Sequence, residues 1–192
     1  MELQMEITIF GKGNMAKAIG HNLEMGNDVS YYGSHDTVQQ FGDLVIMAVP
    51  YPALAKIAQQ YQQELSGKVV VDITNPLNFD TWDELVVPAD SSAAQELQAD
   101  LPNSKVLKAF NTNFAATLMS GKVGNNVTTV LVAGNDQDAK NVLKDALSKS
   151  PLKVMDAGKI SRARELEAVG FIQMTLAASK QIGWDGGFGI NE

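Results

Sequence analysis

Met5-Glu6-Ile7-Thr8-Ile9-Phe10 runs directly into Gly11-Lys12-Gly13-Asn14-Met15-Ala16, and this stretch decides how the chain folds. The first six residues alternate between apolar and polar side chains, a pattern that predicts a β-strand. Apolar residues beyond the turn recur at helical spacing, namely Met15, Ala18, Ile19 and Leu23. The chain is therefore expected to open with a strand, a glycine-containing turn and a helix, joined without a gap.

The turn between this strand and helix carries the pattern G-x-G-x-x-A, which is a dinucleotide-binding fingerprint. Gly11 permits a tight turn, Gly13 lets a diphosphate approach the backbone, and Ala16 lets the helix pack against the strand. The first turn of the helix offers N–H groups and a positive dipole end to the same anion. Lys12 either adds positive charge beside the phosphate or is simply solvated.

The composition excludes several classes of function. The 192 residues carry a formal net charge of −7, and Arg162 and Arg164 are the only arginines, so we expect no nucleic-acid partner. Cysteine is absent and histidine occurs twice, so we expect no metal site and no cysteine nucleophile. The amino terminus lacks the positive charge of a secretory signal, and the longest apolar run, residues 44–49, is too short for a bilayer. We expect a cytoplasmic protein that does not enter membranes.

Strand and helix patterns alternate along the whole chain. Further strands are predicted at residues 28–32, 44–49, 68–73, 105–110, 127–133 and 153–155. Helical patterns fall between them, and the last one runs from residue 160 to about 182. Too few residues separate the second and third strands for a crossover helix, so a bare loop or a single turn is expected there. The alternation predicts a doubly wound, mainly parallel α/β sheet in three αβα layers. We expect one domain over 1–192, with a core of about 1–157 and a C-terminal helix and tail at 158–192.

Ligands of such sheets bind outside the carboxyl ends of the strands, where the strand order reverses. Ala48-Val49-Pro50 and Thr74-Asn75-Pro76 end two neighbouring strands, and we predict that they lie along ribose and nicotinamide, with Asn75 facing the carboxamide. Alternatively, both are turns that merely stop a strand. Phe110-Asn111-Thr112-Asn113 follows the fifth strand and either walls the nicotinamide pocket or caps a helix.

The end of the second strand decides which nucleotide is preferred. An NAD site places Asp or Glu about 20 residues beyond the glycines, whereas this chain has Gly33-Ser34-His35 there. A hydroxyl and an imidazole suit the 2′-phosphate of NADP(H), although the turn can also simply face water. Asp36 would favour NAD if it reached the ribose, but we expect it to cap the turn that follows.

The sequence does not identify a catalytic residue. Hydride transfer between two cofactors needs alignment and exclusion of water more than an acid or a nucleophile. Arg164, Glu165 and Glu167 begin the last helix, where ion pairs on the helix surface are expected and a substrate contact is the alternative.

Seven blocks in chain order resemble the NADP oxidoreductases that depend on the deazaflavin coenzyme F420. The blocks are G-K-G-N-M-A at 11–16, G-S at 33–34, A-V-P at 48–50, D-I-T-N-P-L at 72–77, S-A-A-Q-E-L at 92–97, K-A-F-N-T at 108–112, and D-A-G-K-I with R-E-L-E within 156–167. The resemblance implies an NADP-binding Rossmann domain. It places Gly11, Gly13, Asn14, Met15 and Ala16 at the diphosphate, Ser34 and His35 at the 2′-phosphate, and Ala48, Val49, Asn75 and Pro76 beside the nicotinamide.

Two departures from the family pattern matter. His35 replaces an arginine of the family, and because imidazole loses its charge near neutral pH, NADPH affinity is predicted to weaken between about pH 6 and pH 8. The family also has a helix between the second and third strands, where this chain has no room for one. That loss opens the adenine side of the pocket.

The resulting functional prediction is hydride transfer between NADP(H) and a planar redox acceptor, such as a deazaflavin or a flavin. The opening G-N-M-A-K-A-I also resembles pyrroline-5-carboxylate reductase, so an NADPH-dependent imine or ketone reductase is an alternative. A redox sensor that binds NADP(H) without turnover is another. The last helix and the tail with Trp184 and Phe188 are predicted to form a homodimer contact or an acceptor pocket.

Overall fold

The opening strand, turn and helix form as the pattern predicts, and the alternation continues through residues 4–191, which the computed structural model describes. The strands are β1 (Glu6–Phe10), β2 (Asp28–Tyr32), β3 (Leu44–Met47), β4 (Val69–Asp72), β5 (Lys105–Lys108), β6 (Lys122–Val123), β7 (Asn126–Val127), β8 (Thr129–Gly134) and β9 (Lys153–Gly158). The helices are α1 (Asn14–Leu23), α2 (Leu54–Gln60), α3 (Ala93–Asp100), α4 (Ala115–Ser120), α5 (Gln137–Ala146) and α6 (Ala163–Ala178). Short 3₁₀ turns at Tyr51–Ala53 and Ile160–Arg162 lead into α2 and α6.

Seven of these strands form one sheet in the order β2-β1-β3-β4-β5-β8-β9. Neighbouring strands run parallel throughout, except that β8 is antiparallel to β5. The strand order reverses at β1, which has β2 on one side and β3 on the other. The predicted doubly wound, mainly parallel α/β sheet is therefore confirmed, and its switch point lies between β1 and β3.

Helices cover both faces of the sheet, so its central strands are apolar on both sides. Leu44 and Ile46 of β3 belong to a core cluster that includes α1, α4 and α5. Val45 and Met47, which alternate with them, belong to a second cluster that includes α2, α3 and the start of α6. This alternation is the two-residue period of a strand, and it explains why β3 reads as one continuous apolar run.

Several boundaries differ from the predicted ones. The last helix ends at Ala178 rather than near residue 182, and the fifth strand ends at Lys108 because Phe110 adopts a left-handed backbone with φ 63°. The small hairpin of β6 and β7 was missed because strands of two residues show no period. Between β2 and β3 the chain forms a loop, as expected. Among the described residues, none of the helices is long and apolar enough to span a membrane.

Gly11 joins β1 to α1 at a position that no other residue could fill. Its φ is +114°, and a Cβ added there would lie 2.0 Å from the carbonyl oxygen of Ala48. The backbone at the end of β3 therefore passes directly against the turn, where the Ala48 N–H donates to the Phe10 carbonyl at 2.8 Å. This close approach brings the ends of β1 and β3 together at the switch point.

Candidate functional site

A cleft of about 650 Å³ opens at the carboxyl edge of the sheet, beside this switch point. The turns after β1, β3, β4 and β5 form most of its wall, and α6 and the C-terminal tail close one side. The lining residues are Gly13, Asn14, Met15, Ala16, Ala48, Val49, Pro50, Tyr51, Ile73, Thr74, Asn75, Phe79, Asn111, Asn113, Phe114, Ala115, Met174 and Trp184. Most of the residues that the sequence nominated for a nucleotide thus line one cavity.

The remaining nominated residues lie outside this cleft. Lys12, Gly33, Ser34 and His35 lie around the turn that follows β2, where the side chains of Ser34 and His35 are exposed. Gly11 lies behind the cleft, against Ala48.

Phe110 and Pro76 are buried rather than exposed to the cleft. Phe110 is 0% exposed and belongs to the core cluster beneath α1 and α4, so the structure does not support its predicted place in the pocket wall. Its left-handed backbone turns the chain just before Asn111 and Asn113, which do line the cleft. The carbonyl of Pro76 accepts a hydrogen bond from the Val86 N–H at 2.7 Å. This proline therefore helps to hold the loop between β4 and α3 in place.

One end of the cleft is built to receive an anion. Gly13 occupies the N-cap position of α1 and has no side chain with which to satisfy the first-turn N–H groups. A Cβ added at Gly13 would meet no atom within 4 Å, so the space in front of the helix is open. No acidic residue lies in the first turn of α1. This end of the cleft fits a diphosphate group.

The turn after β2 is held together by Asp36. The Gly33 N–H donates to Asp36 Oδ2 at 2.7 Å, and Lys12 Nζ lies 2.6 Å from the same oxygen. The Lys12 ammonium, and then the Gly33 amide, hold the pKa of Asp36 below its usual range. Asp36 was predicted to cap the turn that follows it; instead it bonds back to the preceding turn and to the glycine-rich loop.

The other end of the cleft contains two asparagines that bond each other. Asn75 donates from Nδ2 to the Asn111 carbonyl at 2.9 Å, and Asn111 donates from Nδ2 to Asn75 Oδ1, also at 2.9 Å. A Cβ added at Gly170 of α6 would lie 2.3 Å from Asn75 Oδ1. The glycine therefore lets α6 pack against this pair, which fixes the strand-end loops to the helix.

Three buried side-chain oxygens near this pair lack a hydrogen-bond partner among the described residues: Thr74 Oγ1, Asn111 Oδ1 and Asn113 Oδ1. All three residues line the cleft and are less than 10% exposed. Buried polar atoms without a partner are rare in proteins and commonly mark a ligand or water site. These acceptors fit an amide NH₂ group such as that of nicotinamide.

A buried ion triad lies directly beneath these loops. Lys108 Nζ is 2.8 Å from Asp72 Oδ2 and 2.7 Å from Glu167 Oε1, and all three side chains are 0% exposed. Lys108 also donates to the Thr74 carbonyl, while the Thr74 N–H donates to Asp72 Oδ1 at 2.8 Å. The triad therefore fixes the backbone of Thr74 from both sides.

Glu167 was predicted to form an ion pair on the surface of the last helix, and this is wrong because its side chain is buried against Lys108. It accepts hydrogen bonds from the Ala93 and Ala94 N–H groups at 3.1 and 3.4 Å, at the start of α3. Burial raises the pKa of Glu167, while Lys108 and the Ala93 amide act in the opposite direction. Arg164 and Glu165 do form the expected surface pair, 3.0 Å apart.

Sequence reasoning missed Lys108 and Asp72, although a signal for them exists. Each is the last residue of its strand, and the parallel register of β4 and β5 places them directly opposite each other. An acid and a base at matching ends of two adjacent apolar strands indicate a buried pair. Burying either charge alone would be very unfavourable.

Aromatic side chains surround the mouth of the cleft. Phe79 and Trp184 are 54% and 49% exposed, and the rings of Trp184 and Phe114 are 5.0 Å apart. Gln173 of α6 donates to the Thr112 carbonyl at 3.1 Å and accepts from the Phe188 N–H at 2.9 Å, which attaches the tail to the cleft wall. The tail thus contributes to the pocket, while the homodimer contact stays a prediction.

Comparison with known proteins supports the resemblance seen in the sequence. The model of a family described as coenzyme F420-dependent NADP oxidoreductases matches residues 24–76. An F420-dependent NADP reductase of Methanocaldococcus jannaschii is 35% identical over 133 residues, which cover 67% of this chain and 59% of that protein. Metalloreductase STEAP3 of Rattus norvegicus is 30% identical over 119 residues, 62% of this chain and 22% of that protein. The chain thus spans less than two thirds of the length of either relative.

Solved structures share the fold. A protein of Arthrobacter sp. FB24, provisionally named an F420-dependent NADP-reductase, has a TM-score of 0.82 at 24% identity, covering 98% of this chain and 100% of that one. An imine reductase from Bacillus cereus BAG3X2 has a TM-score of 0.65 at 16% identity, covering 92% of this chain and 62% of that one. The sequence matches show that part of this chain is similar to coenzyme F420-dependent NADP oxidoreductases, and the solved structures show that it has a Rossmann-type fold.

Proposed function

We propose that this protein is an oxidoreductase that binds NADP(H) in the cleft and moves hydride between the nicotinamide and a planar acceptor. The observation that carries the proposal is the cleft itself. Its lining includes both the open helix N-terminus at Gly13 and the residues of three buried oxygens that lack a hydrogen-bond partner among the described residues. The sequence match to an archaeal NADP reductase supports the choice of nucleotide.

The residues of the chain divide the work of binding. The first-turn N–H groups of α1, at Asn14, Met15 and Ala16, bind the diphosphate. Gly33, Ser34 and His35, with Lys12, surround the 2′-phosphate of the adenosine ribose. Ala48, Val49 and Pro50 line the path between the two ends.

The nicotinamide end orients the reacting ring, and the bound nicotinamide supplies the hydride chemistry. Thr74 Oγ1 and one of the two asparagine oxygens, Asn111 Oδ1 or Asn113 Oδ1, accept the two hydrogen bonds that the carboxamide NH₂ donates, while the Asn75 and Asn111 pair keeps the loops in place. Because these groups orient the ring without ionising, we assign no residue as an acid, base or nucleophile.

The acceptor binds at the aromatic mouth. Phe79, Phe114 and Trp184 offer ring faces to a planar molecule such as a flavin or a deazaflavin, and they shield the ring beneath from water. Among the described residues, none of those lining the cleft carries a formal charge. An aromatic, uncharged ring system therefore fits this position.

Calorimetric titration with NADPH and NADH, followed by NADPH oxidation assays, tests the proposal. We expect NADPH to bind more tightly than NADH, and NADPH to be oxidised when a flavin or deazaflavin is added. Failure of both nucleotides to bind contradicts the proposed site. Tight NADPH binding without oxidation by flavin, deazaflavin, quinone, ferric or imine acceptors contradicts the enzymatic role and leaves a nucleotide sensor.

A further inference from the structure

The exposed turn after β2 contains a small anion site that is already filled by a side chain of the same protein. Asp36 Oδ2 accepts from the Gly33 amide at 2.7 Å and lies 2.6 Å from Lys12 Nζ. In addition, the Asp36 N–H donates to the Gly33 carbonyl at 3.1 Å, which closes the turn. One carboxylate oxygen thus takes both a backbone N–H and an ammonium group.

These two donors are of the kind that bind phosphate. A backbone N–H in a tight turn and a lysine from a glycine-rich loop both favour an anion with several acceptor oxygens. They lie beside Ser34 and His35, on the turn that follows β2. Under the proposed function, this turn is where the 2′-phosphate of NADP(H) binds.

We infer that Asp36 is a specificity-determining residue, which occupies as an internal anion the place of the 2′-phosphate and so weakens the preference for NADPH over NADH. The inference rests on the proposed nucleotide site. To bind NADP(H), the protein must release Lys12 and the Gly33 amide from Asp36 and keep two anions close together. NADH has no 2′-phosphate and leaves the Asp36 contacts intact.

Asp36 is charged over the whole physiological pH range. Lys12 lowers the pKa of Asp36, and both side chains of the pair are about half exposed to solvent. An exposed pair of this kind breaks readily when a stronger anion competes. The contact therefore tunes nucleotide affinity and contributes little to folding.

The main test replaces Asp36 by asparagine, which keeps an oxygen for the Gly33 amide but removes the charge. Calorimetry would compare 2′,5′-ADP with ADP, and NADPH with NADH, on wild type and variant. Asp36→Asn is expected to raise the affinity for 2′,5′-ADP and NADPH about tenfold, and to change that for ADP and NADH less than about twofold. The ADP probes carry no nicotinamide, so the readout is independent of hydride transfer.

Asp43→Asn is the matched control. Asp43 also pairs with a lysine, Lys68, at 3.2 Å, but it precedes β3 and lies at the opposite edge of the sheet. The same loss of charge there is expected to leave all four affinities unchanged. A rise in NADPH affinity in both variants would indicate a general charge effect and overturn the inference.

A double-mutant cycle with Lys12→Met sharpens the test. In wild type Lys12 is shared between Asp36 and phosphate, so its loss is expected to weaken 2′,5′-ADP binding about threefold, against about tenfold in the Asp36→Asn background. Equal losses in both backgrounds would contradict the inference. A drop in NADH affinity in Asp36→Asn would instead make Asp36 a ribose ligand, whereas binding of no nucleotide to any variant would overturn the proposed site as well.

Discussion

The two ends of the proposed nucleotide site are built in opposite ways. At the end formed by Thr74, Asn75 and Asn111, the polar groups are largely buried and bonded to one another across β4, β5 and α6. At the end formed by the turn after β2, Lys12 and Asp36 are exposed and pair in solvent. Under the proposed function, the orientation of a bound ring is set by the core, whereas the choice between nucleotides depends on surface charges that can rearrange.

The buried end depends on charge compensation. Asp72, Lys108 and Glu167 carry a formal net charge of −1 within a region fully excluded from solvent. A buried ion group contributes little net stability, but removal of one partner leaves an uncompensated charge and is strongly destabilising. Backbone N–H groups of Thr74, Ala93 and Ala94 provide the remaining donors.

The largest effect is expected from Lys108→Met, which would leave Asp72 and Glu167 buried without their cation. Unfolding in urea should show a loss of about 3–5 kcal/mol. Lys105→Met is the control, because Lys105 begins the same strand but is 42% exposed and pairs with Asp136 at the surface. A Lys108→Met variant as stable as Lys105→Met would mean that the buried end is not held by the triad.

A smaller loss is expected from Gly170→Ala. Alanine in place of glycine inside a helix normally stabilises by about 1 kcal/mol, but here the added Cβ would lie 2.3 Å from Asn75 Oδ1. We expect a loss of about 1–3 kcal/mol in urea unfolding, together with weaker NADPH binding. Ala168→Gly, at an exposed position of α6, is the control, because it measures only the difference in helix propensity between alanine and glycine. A stabilised Gly170→Ala protein would show that α6 does not pack tightly on the buried end.

The smallest effect is expected from Thr74→Val, which should change the affinity for NADPH but not that for a ligand without nicotinamide. Thr74→Val removes a buried hydroxyl that has no partner among the described residues. Loss of one hydrogen bond worth about 1 kcal/mol should weaken NADPH binding roughly fivefold and leave stability nearly unchanged. The affinity for 2′,5′-ADP, which lacks nicotinamide, should not change, and Thr74→Ser, which keeps the hydroxyl, should bind NADPH as wild type does. Equal weakening of both ligands would place Thr74 outside the nicotinamide end.

Local sequence signals predicted the regular part of this molecule. The alternation before Gly11 and the apolar run of β3 gave a parallel sheet, because strand and helix periods are properties of short segments. The G-x-G-x-x-A turn located the helix N-terminus, since the backbone at Gly11 requires glycine. The prolines after β3 and β4 indicated where these two strands end, at the same edge of the sheet.

Other features depended on contacts between distant segments. From the sequence Glu167 resembles a surface residue of a helix, but the tertiary structure places its carboxylate against Lys108 at the end of β5. Phe110 resembles a pocket wall until its left-handed backbone directs the ring into the core. Trp184 follows a helix by several residues, and contacts with Gln173 and Phe114 bring the tail to the cleft.

The sequence by itself determined the fold class, the nucleotide-type turn and which strand ends meet at one edge, because each follows from local periodicity or backbone sterics. Only the tertiary structure decided which polar side chains are buried together and which stay exposed. Burial converts an ordinary acid, base or amide into a fixed contact, since an unpaired polar group excluded from water is costly. For that reason Lys108 and Glu167 are fixed beneath the cleft, while Lys12 and Asp36 pair in solvent.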